Sequence, residues 1–335
     1  MGIRVAIMGA TGAVGQEFLT LLRERNFPLA ELRLLASARS AGKTMRFGDD
    51  TLTVQELTHD SFEGIDLVLA SAGGSLSRDY APSAVKAGAV VVDNTSYFRM
   101  HPDVPLVIPE INPEAIFRHK GIIANPNCST IIMCLPLWPL HKRYGVKRVV
   151  VATYQAASGA GAVAMQELVD ETRARMENKD FVRTVIPHPY AFNLFPHNSP
   201  MTDNGYCEEE LKMMKETRKI FEDDSLSIHA TCVRVPVLRA HSEAVNVEFK
   251  SEPDIAEAYK LLSHTEGVQV LEDRAANRWP MPLDVTGKDP VMVGRLRKDV
   301  SQDKTLDFWC VGDQIRKGAA LNAIQIAEKL FKTTV

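Results

Sequence analysis

A chain of 335 residues is longer than one ordinary hydrophobic core needs and suits two domains. Hydrophobic residues make up 45% and charged residues 24%, which excludes a disordered or fibrous protein. The formal charge of -3 gives no reason to expect nucleic acid or an anionic membrane as partner, although local basic pockets for small anions stay open.

The opening residues run straight into a strand pattern instead of the basic, apolar and small-residue order of a signal peptide. No window approaches the roughly 20 apolar residues that cross a bilayer. The five cysteines, Cys128, Cys134, Cys207, Cys232 and Cys310, are scattered and form no C-x-x-C pair. That pattern fits a reducing compartment, taken as the cytoplasm, and argues against disulfides or a metal site.

The first third alternates β-branched runs with helical patterns, the rhythm of a doubly wound parallel sheet. Strands are expected at 3–8, 32–36, 67–70, 90–93 and 121–124, with helices at 14–25 and 78–87. Beyond Cys128 the β-rich segments 146–153, 228–236, 244–249, 290–296 and 306–311 alternate irregularly with helical patterns at 162–178, 208–221 and 254–263. This predicts an α+β domain with a mixed, largely antiparallel sheet. A last amphipathic segment, 318–331, is placed to return to the first domain and make it discontinuous. The expected division is 1–127 plus 313–335, and 128–312.

Between the first strand and helix lies Gly9-Ala-Thr-Gly12-Ala-Val-Gly15. Small residues let a pyrophosphate approach the backbone, and the helix start offers free N–H groups, so this reads as a Rossmann-like dinucleotide loop. Its G-x-x-G-x-x-G spacing also suits a tight turn with no ligand. After the second strand the chain reads Ala36-Ser37-Ala-Arg39-Ser40, without the carboxylate that would take ribose hydroxyls. An arginine between two serines suits a 2′-phosphate, which selects NADP over NAD; the plain alternative is an exposed loop arginine.

Cys128 follows a short strand and precedes Ser129, Thr130 and an apolar helical run. A thiol at a helix start is stabilised as the thiolate, although a cysteine there could equally be a small buried hydrophobe. Sequence chemistry alone does not select a proton shuttle from nine histidines.

Taken together, Gly9–Gly15, Ser71–Gly74, Asp93–Met100, Asn125–Thr130, Gln155–Gly161, Glu208–Lys212, Arg234–His241 and Arg316–Asn322 resemble the aspartate-β-semialdehyde dehydrogenases, in family order and over nearly the whole chain. The resemblance implies NADPH-dependent reductive dephosphorylation of L-4-aspartyl phosphate to L-aspartate 4-semialdehyde. This step belongs to lysine/diaminopimelate, threonine, methionine and isoleucine biosynthesis. It implies Cys128 as the thioester-forming nucleophile, His241 as acid/base and Gln155 as orienter of the bound intermediate. Arg99, Lys212 and Asn127 would hold phosphate, Arg234 the substrate α-carboxylate and Glu209 its α-ammonium, although three consecutive glutamates blur that register. The cofactor contacts implied are Gly9, Thr11, Gly12, Ala13, Val14, Ser37, Arg39, Ser40, Gly73, Ser158, Gly159 and Gln314. The last stands where the family commonly has asparagine. No metal is expected, phosphate is the co-substrate or product, and the assembly implied is a homodimer, with a tetramer as the other form. The rival readings are a reductase of a related acyl phosphate such as N-acetyl-γ-glutamyl phosphate, and a catalytically silent NADP-binding protein.

Overall fold

Residues 2–332 are described by the computed structural model, and the expected domain ends at Met1 and 333–335 lie outside the described residues. The chain forms two units: residues up to Asn127 with those from Ala319 onward, and Cys128–Gly318. The return to the first unit falls at Ala319, not at 313. Residues 313–318 are held in the second unit, where Asp313 accepts hydrogen bonds from Arg239 (2.7 Å) and the Gly287 N–H (2.7 Å).

In the first unit, β1 (Ile3–Met8), α1 (Ala13–Glu24), β2 (Leu29–Ala36), β3 (Thr44–Phe47), β4 (Asp50–Glu56), β5 (Leu67–Ala70), α2 (Gly74–Lys86), β6 (Val90–Asp93) and β7 (Ile122–Ala124) follow one another. They build a sheet in the order β3-β4-β2-β1-β5-β6-β7, parallel except for the β3–β4 hairpin. The apolar run Ile-Arg-Val-Ala-Ile-Met of β1 is buried except at Arg4, as a strand covered on both faces must be. The hairpin was not expected. Its strands do alternate apolar and polar residues, with Val54 buried and Met45, Phe47 and Leu52 packed on the core, but each offers only two apolar positions, too few to stand out in the sequence. The closing helix Leu321–Phe331 buries Leu321, Ala323, Ile324, Ile326 and Ala327 in the same core as Val5, Phe18 and Leu69.

The second unit contains α3 (Cys128–Tyr144), β8 (Val146–Gln155), α4 (Ala162–Met176), β9 (Phe195–Pro196), α5 (Glu208–Phe221), β10 (Ser227–Arg234), β11 (His241–Phe249), α6 (Ile255–Ser263), β12 (Val268–Val270), α7 (Pro282–Val285), β13 (Val291–Lys298) and β14 (Thr305–Gly312). The sheet order is β12-β13-β14-β11-β8-β10-β9, with β8–β10 and β12–β13 parallel and the other pairs antiparallel. A mixed, largely antiparallel sheet is therefore present. Two strands run further than expected: β8 continues to Gln155, and β11 begins at His241. These extensions set two candidate side chains on rigid strand ends instead of loops. No helix among the described residues is long and apolar enough to cross a membrane.

Candidate active site

The carboxyl ends of β2, β1 and β5 lie side by side, which is where open parallel sheets bind nucleotides. Gly9 has φ +93°, and a Cβ there would stand 2.6 Å from the Ser71 carbonyl oxygen. A Cβ on Gly15 would meet the Gly9 carbonyl oxygen at 2.3 Å, so α1 packs closely on β1 only with glycine there. Gly12 caps α1 without a side-chain hydrogen bond, and no acidic residue occupies the first turn. The helix start, with Ala13 and Val14, therefore keeps N–H groups and a positive dipole end for an anion, beside Thr11. The N–H groups of Gly9 and Ala10 donate to the Leu35 carbonyl (2.9 and 3.1 Å), tying this loop to the end of β2. There Ser37 caps a short 3-10 turn, Ser40 is buried and Arg39 is exposed. Gly73, with φ +96°, precedes α2 after β5. These residues fit a dinucleotide.

At the ends of β6 and β7 the same unit builds a polar corner. Arg99 is 7% exposed, and its guanidinium donates to the carbonyls of Asn125 (2.9 Å) and Asn94 (2.9 Å). Two backbone carbonyls thus fix the fork before any ligand arrives. Asn125 donates to Asn94 (2.7 Å) and accepts from Asn322 of the closing helix (2.6 Å). Asn127 is buried one residue before the cysteine.

In the second unit, Cys128 is half-buried at the first position of α3. All five cysteines are free, and burial pushes the thiols of Cys134, Cys232 and Cys310 upward. A Cβ on Gly318 would lie 3.0 Å from Cys128 Cβ and 3.3 Å from Gln314 Cβ, so Cys128 and Gln314 flank that glycine.

Around the end of β8 a network collects four of the expected substrate residues, Gln155, Arg234, Glu209 and Lys212. Gln155 accepts from the Thr153 hydroxyl (3.0 Å) and donates to Glu209 (3.2 Å). Arg234 pairs with Gln155 in strand register and donates to the Ala156 carbonyl (3.1 Å), while its Nε has no hydrogen-bond partner among the described residues. The Ala156 N–H donates to His241 Nδ1 (3.0 Å), and His241 Nε2 likewise has no partner. Burial and then the Arg234 guanidinium push the His241 imidazole down to about 3.

The glutamate register is resolved at α5. Glu209 is buried against Gln155, Glu210 accepts from the Cys207 and Cys232 N–H groups (both 3.0 Å), and Glu208 faces outward. Lys212, expected at phosphate, sits 3.2 Å from Glu209, expected at the ammonium. The two groups hold each other in place.

Gln314 uses both ends of its amide on the protein: its Oε1 accepts from the Ala240 N–H (2.8 Å) and its Nε2 donates to the Ser158 hydroxyl. A Cβ on Gly159 would stand 2.8 Å from an Arg234 guanidinium nitrogen and 3.2 Å from His241 Cε1 and Nε2. Only glycine permits that approach.

Sequence reasoning missed His197, whose half-buried ring is pushed down to about 4 by burial and then Arg234, with Glu209 and Lys212 also acting on it. It also missed Ala240, a non-glycine residue at φ +77° directly before His241. Neither carries a signal that distinguishes it in one sequence. Among the described residues no cluster of three or more His, Cys, Asp or Glu could hold a metal ion.

Two family models match: "Semialdehyde dehydrogenase, NAD binding domain" over residues 4–119 and "Semialdehyde dehydrogenase, dimerisation domain" over 137–317. The aspartate-semialdehyde dehydrogenase of Synechocystis sp. is 60% identical over 330 residues, covering 98% of both chains. That of Aquifex aeolicus is 51% identical over 336 residues, covering 99% of both. Among solved structures, aspartate semialdehyde dehydrogenase II from Vibrio cholerae complexed with ASA has TM-score 0.96 at 45% identity, over all of both chains. The Candida albicans aspartate semialdehyde dehydrogenase with NADP has TM-score 0.75 at 27% identity, again over all of both chains.

Proposed function

The chain belongs to the aspartate-semialdehyde dehydrogenase family, and from that premise we propose that it reduces L-4-aspartyl phosphate to L-aspartate 4-semialdehyde with NADPH, reversibly, through a thioester on Cys128. In this reading the enzyme serves lysine/diaminopimelate, threonine, methionine and isoleucine biosynthesis in the cytoplasm and works as a homodimer. The observation that carries the substrate assignment is a pair of buried donors without partners, Arg234 Nε and His241 Nε2, in the network that also holds the Glu209 carboxylate. A buried guanidinium with a free edge suits a carboxylate, and a buried carboxylate suits an ammonium, so together they ask for a free amino acid.

Each side chain then has a task. Cys128, at the N-terminus of α3, is favoured as thiolate and attacks the acyl carbon. Gln155 orients the acyl group, and His241 serves the oxygen of the tetrahedral species. Arg99, prepositioned by two carbonyls, receives phosphate together with Lys212 and Asn127. When bound, NADPH supplies hydride; its pyrophosphate suits the loop of Gly9, Thr11, Gly12, Ala13 and Val14, and its 2′-phosphate suits Ser37, Arg39 and Ser40. Gly73, Ser158 and Gly159 complete the cofactor contacts of this reading. N-acetyl-γ-glutamyl phosphate has no free ammonium for Glu209, which disfavours the rival substrate.

The test is reduction of NADP by L-aspartate 4-semialdehyde with and without inorganic phosphate, beside the acetylated five-carbon aldehyde. Phosphate-dependent turnover of the first aldehyde is expected. Preference for the acetylated substrate would overturn the assignment.

A further inference from the structure

His197 is half-buried and is held beside the expected substrate residues from several sides. Its N–H donates to the Cys232 carbonyl (2.8 Å), one step beyond the β9–β10 pairing in which Phe195 stands opposite Arg234. Side chains alternate along paired strands, so the His197 ring lies on the side of the sheet that Cys232 and Arg234 share. That side is covered by α5, where Cys232 touches Met213 at 3.9 Å. The turn after His197 is tied to the start of the same helix. The Glu209 N–H donates to the Ser199 hydroxyl (3.1 Å) and the Glu208 N–H to the Pro200 carbonyl (2.8 Å). The ring itself receives the Ser199 N–H on Nδ1 at 3.1 Å. A ring nitrogen accepts a hydrogen bond only through a lone pair, so the neutral imidazole carries its proton on Nε2. The charges acting on it are those of Arg234, Glu209, Lys212 and Glu210, and burial, then Arg234, hold it uncharged.

Arg234 alone leaves a carboxylate incompletely met. A carboxylate offers about four lone-pair positions and the edge of a guanidinium fills two of them. One nitrogen of Arg234, moreover, already donates to the Ala156 carbonyl. We propose that His197 is a specificity-determining residue whose Nε2–H is the second donor to the substrate α-carboxylate held by Arg234. This rests on the reaction proposed above and deepens it at the amino-acid end of the substrate. The absence of charge on the ring is part of the role. Arg234 and Lys212 already bring positive charge to this corner, and a third cation would oppose the substrate ammonium at Glu209. A neutral donor adds a hydrogen bond to the carboxylate without that repulsion.

Substitutions separate the work of the two ring nitrogens. In His197→Gln the amide nitrogen reaches the region of Nε2, so the donor is kept and the acceptor for the Ser199 N–H is lost. In His197→Asn the shorter amide sets an oxygen near the place of Nδ1, so the Ser199 contact is kept and the distal donor is lost. His197→Ala removes both. A donor that serves the α-carboxylate contributes equally before and during the chemical step, so its loss raises KM and leaves kcat in place. The ammonium has no lone pair to receive this N–H, and a donor to the reacting acyl oxygen would instead show itself in kcat.

The experiment is steady-state oxidation of L-aspartate 4-semialdehyde with NADP and phosphate by wild type and the three variants, beside their thermal unfolding. His197→Asn and His197→Ala should raise the KM for the aldehyde about tenfold with kcat within about twofold, and His197→Gln should stay within about threefold of wild type in both. Melting should follow the other nitrogen, with the asparagine variant closer to wild type than the glutamine and alanine ones. A KM that follows the Ser199 contact instead, normal in His197→Asn and raised in His197→Gln, would make His197 a loop anchor and overturn the proposal. An unchanged KM in His197→Ala, or a loss confined to kcat, would overturn it as well. Wild-type turnover is the reference throughout. Its absence would overturn the reaction and the proposal together, whereas normal wild-type turnover with a KM indifferent to these changes would overturn the His197 role alone.

Discussion

At the scale of single residues, the site works by fixing donors before the ligand comes. Arg99 spends two of its N–H groups on backbone carbonyls, and Gly159 is reduced to a bare Cα so that Arg234 and His241 can crowd against it. Arg39 is the opposite case: it is exposed at the end of β2, with Ser37 and Ser40 beside it and no carboxylate between 36 and 40. Arg39→Ala should therefore raise the Kd for NADP far more than for NAD, by the loss of a charge-assisted contact worth about 1.5–3 kcal/mol. Titrating both cofactors against wild type and variant checks this; equal weakening would remove Arg39 from 2′-phosphate recognition. The Cys128, Gln155 and Arg234 blocks were legible because they rest on residue identity in short motifs. The contact that holds the His241 ring was not, because it is made by a backbone N–H at another strand's end, 85 positions away.

Elements decide how these side chains are held. The segment from Val235 to His241 is laced to the turn after β8: the N–H groups of Ala157 and Ser158 donate to the carbonyls of Val237 and Leu238 (2.8 and 3.0 Å). Gln314 closes the arrangement by accepting from Ala240, which stands at φ +77°, and donating to Ser158. A non-glycine residue in that region is strained and persists only where its surroundings hold it. The amide of Gln314, for which the resemblance implies a cofactor contact, is thus bonded to Ala240, the residue before His241. Gln314→Leu should strand a buried N–H, costing about 1–3 kcal/mol of stability, and lower kcat more than it weakens NADP binding. Thermal unfolding, kcat and the NADP Kd, measured together, test it; a selective loss of NADP affinity with unchanged melting would return Gln314 to the cofactor. Strand alternation and helical periodicity revealed most of the elements, but their ends were set by tertiary hydrogen bonds. Hence His241 was read as lying before its strand, and the short β3–β4 hairpin went unseen.

On the scale of the whole molecule, the chain builds a nucleotide-type parallel sheet, then a mixed sheet, and returns through Leu321–Phe331 to complete the first core. That return also reaches the polar corner of the first unit, since Asn322 on the closing helix donates to Asn125, whose carbonyl holds Arg99. The two-layer logic was readable from the change of texture at Cys128. The crossover point was not, because residues 313–318 are kept in the second unit by tertiary hydrogen bonds of Asp313 and Gln314. Every role assigned to the second unit depends on one event, the transfer of an aspartyl group to sulfur. The direct measurement is intact-protein and peptide mass spectrometry after mixing the enzyme with L-4-aspartyl phosphate in the absence of NADPH. The account predicts one aspartyl adduct on the peptide bearing Cys128, lost on adding NADPH or with Cys128→Ala. An unmodified Cys128 in a preparation that turns over normally, or an adduct on another residue, would contradict it.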